Sequence, residues 1–77
     1  MKTVYIDLGS LEKVKNFVSD VSKMDGDFDL VSGRYIIDAK SMMGIFSLDL
    51  TKIIQLNIYN ETDEKINILS KYFVNND

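Results

Sequence analysis

Apolar and polar residues alternate from Thr3 to Leu8. Val4, Ile6 and Leu8 share one face and Thr3, Tyr5 and Asp7 the other, the pattern of a half-buried strand. Gly9-Ser10 interrupts it, and Ser10 suits the N-cap of a following helix. The period then changes. Leu11, Val14, Phe17, Val18, Val21 and Met24 recur at spacings of three and four, one apolar stripe on a helix, with Lys13, Lys15, Asn16, Ser19, Asp20 and Lys23 on the other side. Asp25-Gly26-Asp27 reads as a helix stop and turn.

A second strand is expected around Phe28 and Leu30, a two-residue hairpin turn at Ser32-Gly33, and a third strand from Arg34 to Ala39. Ser41 stands where a helix N-cap would, and Met42, Met43, Ile45 and Phe46 follow with helical spacing. Gly44 would cost about 1 kcal/mol inside a helix, so this helix is short, or something packs close to its backbone. A fourth strand runs from Ile53 to Asn60, with Ile54, Leu56 and Ile58 on one face and Gln55, Asn57 and Tyr59 on the other. Asn60-Glu61-Thr62-Asp63-Glu64 starts a last helix with acidic residues in its first turn, which suits the helix dipole. Its stripe is Ile66, Leu69 and Phe73, flanked by Ile68 and Tyr72, and Asn75-Asn76-Asp77 is read as a frayed tail.

The order is βαββαβα. Four strands with one apolar face each require cover on one side only, and three amphipathic helices supply it. The expectation is a single α+β domain over residues 1–77: an open-faced β-sandwich whose four-stranded antiparallel sheet carries three helices on one face. Phe17, Val21, Ile36, Ile54, Leu56, Leu69 and Phe73 are expected to share its core. A split ferredoxin-like arrangement would give nearly the same string.

Composition narrows function more than fold. The 77 residues are 45% hydrophobic and 27% charged, as in ordinary globular domains. Nine basic against twelve acidic residues give a net charge of −3, which argues against nucleic acid as a partner. No apolar run is long enough to span a membrane, and the start is strand-like rather than signal-like. Without cysteine there is neither a disulfide nor thiolate chemistry, which fits a cytoplasmic protein. The absence of histidine removes the commonest acid–base catalyst and metal ligand. Asp25, Asp27 and Asp29 around Gly26 do not meet the EF-hand pattern and are read as solvated turn residues. No metal site, cofactor or enzymatic activity is expected.

The run Ala39-Lys40-Ser41-Met42-Met43-Gly44-Ile45-Phe46-Ser47-Leu48 resembles the regulatory-serine segment of HPr, the small phosphocarrier of the bacterial sugar phosphotransferase system. The resemblance extends more weakly over most of the chain and implies the same element order. In that family a histidine at the start of the first helix accepts phosphate from enzyme I, and an arginine two residues later helps to hold it. Aligned without a gap from Ser41 back to Phe17-Val18, Ser10 falls at the histidine position, Glu12 at the arginine position and Lys13 at the proline that follows. A one-residue deletion near Gly9 would shift this assignment by one. Serine is a weak nucleophile without an adjacent base, and Glu12 would repel a phosphoryl group. The resemblance therefore implies an HPr-like protein without phosphohistidine chemistry. Its candidate regulatory phosphorylation site is Ser41, and its candidate partner-binding residues are Lys40, Met42, Met43 and Phe46. The implied partners are an HPr-kinase-like enzyme or a catabolite-repression regulator. A simple N-cap at Ser41, on an oligomerisation or scaffold module, is the alternative; a phosphocarrier using another residue is a third case.

Overall fold

The computed structural model describes residues 1–74; the polar tail expected at Asn75-Asn76-Asp77 lies outside them. Strands β1 (Lys2–Ile6), β2 (Phe28–Ser32), β3 (Tyr35–Asp38) and β4 (Ile54–Ile58) alternate with helices α1 (Leu11–Ser22), α2 (Met42–Phe46) and α3 (Asp63–Leu69), and a 3-10 turn, Ser70–Tyr72, follows. The strands form one antiparallel sheet in the order β1-β4-β2-β3. The expected open-faced sandwich is what the chain adopts.

Period-two patterning fixes the buried face. Ile54, Leu56 and Ile58 are all fully buried, as are Ile6 and Leu30, with Phe28 nearly so. From the helices, Val14, Phe17, Val21, Ile45 and Leu69 close over them. Phe17 meets the Tyr72 ring edge-on at 5.2 Å, a geometry that adds about 0.5–1.5 kcal/mol to simple burial. The Tyr72 hydroxyl donates to Asp20 Oδ2 at 2.6 Å, and Lys71 Nζ lies 3.0 Å from the same oxygen, so the chain after α3 is tied to α1. Burial and the Asp20 carboxylate push the Tyr72 hydroxyl far above the usual tyrosine range.

Several expectations are corrected. Ile36 is not in the core: it pairs with Val31 on the open face and is 70% exposed, whereas Ile37 pairs with Leu30 and packs inward. Three consecutive apolar residues leave the phase of a strand undetermined, and buried Ala39 shares the parity of Ile37. Leu11 is also exposed; at 100° per residue it lies roughly a quarter turn from the line through Val14, Phe17 and Val21. The hairpin turn is Gly33-Arg34, one residue later than expected, with a positive φ at Gly33 alone, as in a type II′ turn. α3 ends at Leu69, so Tyr72 rather than Phe73 takes the buried place, and Phe73 pairs with Ile6 while packing at the margin of the core.

Candidate functional site

The segment after β3 is fixed by a chain of local bonds. Asp38 accepts Lys40 N–H through Oδ1 at 2.9 Å and Ser41 N–H through its carbonyl at 3.0 Å, which turns the chain. Ser41 has extended backbone angles and its Oγ accepts Gly44 N–H at 3.1 Å, so the expected N-cap is present. Gly44 meets both expectations for it: the helix is five residues long, and a Cβ there would stand 2.5 Å from Ile37 Cγ2. This close approach seats α2 on β3 and buries Ile45 completely. The remaining apolar side chains of the helix face outward: Met43 is 86% exposed, Phe46 47% and Met42 37%. Ser41 is exposed beside them.

Lys40, grouped with them from the sequence, has a different task. Its Nζ donates to the carbonyls of Met24 at 2.9 Å and Gly26 at 3.2 Å, and it lies 5.7 Å from the Phe28 ring centroid. The ammonium thus holds the turn between α1 and β2 rather than waiting at Ser41.

The start of α1 is built differently. Ser10 Oγ accepts Lys13 N–H at 3.1 Å, the same cap as at Ser41. As at Asp38, a carboxylate accepts the N–H two residues on; here, however, a lysine ammonium pairs with it. Asp7 accepts Gly9 N–H at 2.8 Å and Lys13 Nζ at 3.0 Å. The Lys13 hydrogen bond, then the Gly9 N–H and the Lys13 charge, hold the Asp7 carboxyl below its usual range. Glu12 is exposed in the first turn. The Asp-Leu-Gly step before a capping serine is the sign in the sequence of this Asx turn, which hydrophobic patterning does not register. Two carboxylates, Asp7 and Glu12, therefore flank the Ser10 cap.

Elsewhere, a cleft of about 590 Å³ lies between the end of α1 and the start of α3, lined by Asp20, Lys23, Asp25, Thr62, Glu64 and Lys65. Its charges are mixed, and none of the sequence-predicted site residues reaches it. No cluster of three or more metal-ligating side chains occurs among the described residues. Nor is any helix among them long and apolar enough to cross a membrane.

An open antiparallel sheet thus carries three capped helices on a single face. The structure of HPr-C-His from Thermoanaerobacter tengcongensis is similar, with a TM-score of 0.77 and 25% identity over 92% of this chain and 89% of that one. So is the phosphocarrier protein HPr from Bacillus anthracis, with a TM-score of 0.70 and 22% identity over 95% of this chain and 94% of that one. The fold is that of the HPr phosphocarrier proteins. No family model matches the sequence, and no curated protein matches it.

Proposed function

We propose that this chain is a regulatory binding relative of HPr that carries no phosphohistidine and acts through α2, with Ser41 as its phosphorylation site. The observation that supports this reading most is the exposed Ser41 hydroxyl beside exposed Met42, Met43 and Phe46 on an HPr fold whose 77 residues contain no histidine. Methionine suits a docking surface because its flexible, polarisable side chain adapts to a partner. A phosphate on Ser41 would bring about −1.5 to −2 charges to the rim of that patch, together with acceptor oxygens for an arginine or lysine cluster. The partner is accordingly a protein with an apolar groove flanked by basic side chains, of the kind represented by a catabolite-repression regulator, in the cytoplasm. Ser10 and Glu12, at the positions of the family's histidine and arginine, take no part in group transfer.

Two incubations followed by intact-mass measurement test the proposal. With phosphoenolpyruvate and enzyme I, no phosphate is expected to be added; an acid-labile stoichiometric adduct would overturn the loss of carrier chemistry. With ATP and an HPr kinase, one acid-stable phosphate is expected, mapped to Ser41. If Ser41 stays unmodified while authentic HPr is modified in the same tube, the regulatory reading is wrong.

A further inference from the structure

The two edges of the sheet are treated unequally. Along β1 the chain after α3 supplies a partner: Asp7 N–H donates to the Tyr72 carbonyl at 3.0 Å, Val74 N–H donates to the Tyr5 carbonyl at 2.8 Å, and Ile6 pairs with Phe73. The opposite edge, β3, has no strand or segment paired on its outer side among the described residues. Its parity is fixed by its bonds to β2. Ala39 N–H donates to the Phe28 carbonyl at 2.8 Å, and Tyr35 closes the two-residue turn opposite Ser32. Backbone groups of residues 35, 37 and 39 therefore point to β2, and those of Ile36 and Asp38 point away from the sheet, where the Asp38 carbonyl already accepts Ser41 N–H at 3.0 Å.

Natural sheets usually protect such an edge with proline, lysine or an inward-pointing charge. Here the middle of the edge is apolar. Ile36 is 70% exposed and Tyr35 62% exposed. Arg34 and Asp38, two residues to either side of Ile36, are exposed, and neither has an ion-pair partner among the described residues.

We propose that β3 pairs with β3 of a second copy of this chain, antiparallel and centred on Ile36. The sequence is complementary to itself in this register alone among those centred on a residue with outward backbone groups. Ile36 lies opposite Ile36 of the second copy and exchanges both backbone hydrogen bonds with it. Arg34 lies opposite the second copy's Asp38, and Asp38 opposite its Arg34, two symmetric ion pairs on the open face. Tyr35 lies opposite the second copy's Ile37 on the helical side. Opposite charges and apolar pairs directly across a strand pair are the contacts that stabilise a sheet. The self-matching patch is what a two-fold interface requires, and the product is a continuous eight-stranded sheet. Asp38 has an oxygen to spare, since only Oδ1 is used by Lys40 N–H. Asp27 and Asp29 also line the depression beside Asp38 and Tyr59, which adds to the negative potential awaiting the arginine. One four-residue strand per copy falls below the area of a stable interface, so the dimer is a weak one, with a Kd on the order of 100 µM. This inference does not depend on the role of Ser41: its readout is mass, not modification.

Sedimentation equilibrium of the full chain up to about 1 mM, a concentration well above that Kd, is expected to show the average mass rising from one chain toward two. Ile36→Lys and Arg34→Asp each change an exposed side chain and are expected to weaken association at least tenfold. Asp38→Arg places like charges opposite one another and weakens it similarly. An equimolar mixture of the Arg34→Asp and Asp38→Arg chains restores association, because both cross-strand pairs become opposite in sign again. A constant monomer mass, a dimer indifferent to Ile36→Lys and Arg34→Asp, or a mixture no more associated than its components would each overturn the proposal. The first two variants decide the matter even if Asp38→Arg, which loses the turn bond to Lys40, does not fold.

Discussion

The N-terminal ends of α1 and α2 carry the same serine cap with a bond of the same length, yet they present different surfaces. Ser10 and Ser41 each accept the N–H three residues on at 3.1 Å. At α1 an aspartate and a lysine close the end, and Asp7 and Lys13 satisfy each other. At α2 the Asp38 carboxylate makes the same turn bond, to Lys40 N–H, but no ammonium pairs with it, because Lys40 Nζ is drawn away to the Met24 and Gly26 carbonyls. Apolar side chains line the surface there instead. An identical local motif thus gives an electrically satisfied end in one place and a sticky end in the other. The caps hold the helices; the neighbours decide what the ends can do.

That contrast can be tested by perturbations of decreasing size. The largest acts on the buried anchor of α1. Phe17→Ala removes a fully buried ring and its contact with Tyr72, and a loss of about 3–5 kcal/mol in denaturant unfolding is expected. A small domain has little stability in reserve. An unchanged midpoint would mean that α1 is held by its capped end and not by its stripe.

Next come the glycines near each cap. At Gly44 an added Cβ would meet Ile37 Cγ2, the methyl of a stiff β-branched side chain packed at the core, at 2.5 Å, whereas at Gly9 it would meet the movable Asp7 carboxylate at 2.9 Å. Gly44→Ala should therefore cost about 1–2 kcal/mol, overpacking exceeding the gain in helix propensity. Gly9→Ala should cost less. Equal midpoints for the two variants would show that α2 is not seated on β3 as described.

The caps themselves should be equivalent. Ser10→Ala and Ser41→Ala are each expected to lower stability by about 1 kcal/mol. A difference much larger than the error of a urea titration would break the identity on which the comparison rests.

The smallest effect is the pH dependence of the closed end. The Asp7 carboxyl lies below its usual value of 3.8 in the folded chain. Its contribution is therefore complete above that value and fades as the pH falls through the lower folded pKa. Wild type and Asp7→Asn should differ modestly near neutrality and converge in acid. Added salt should shrink the gap because the pair is exposed. Curves that stay parallel down to about pH 2 would deny the aspartate this role.

The fold was legible where the pattern had one solution. Ile54, Leu56 and Ile58 alternate with polar residues and could face only one way, and Val14, Phe17 and Val21 name a single helical line. Tyr35-Ile36-Ile37 offered two phases, and the choice came from tertiary packing, with Ile37 under Gly44. The site was legible in part. Both serine caps follow from local spacing. The task of Lys40 does not, since its carbonyl partners lie 14 and 16 residues away in sequence and are brought near by the α1–β2 turn. Placed next to a serine motif, a lysine reads as part of that motif. Only the fold shows it spoken for.

The strand order has a consequence for how this chain matures on a ribosome. β2 and β3 can zip together as soon as their tight turn emerges. β1, made first, must wait for β4 before it has a neighbour, and for residues 72–74 before its other side is covered. Most of the sheet is joined by contacts between distant parts of the sequence, which slow folding because a long loop must close before any of them forms. Of the four strands, β1 is therefore made before the others and is the last to be sheltered on both sides.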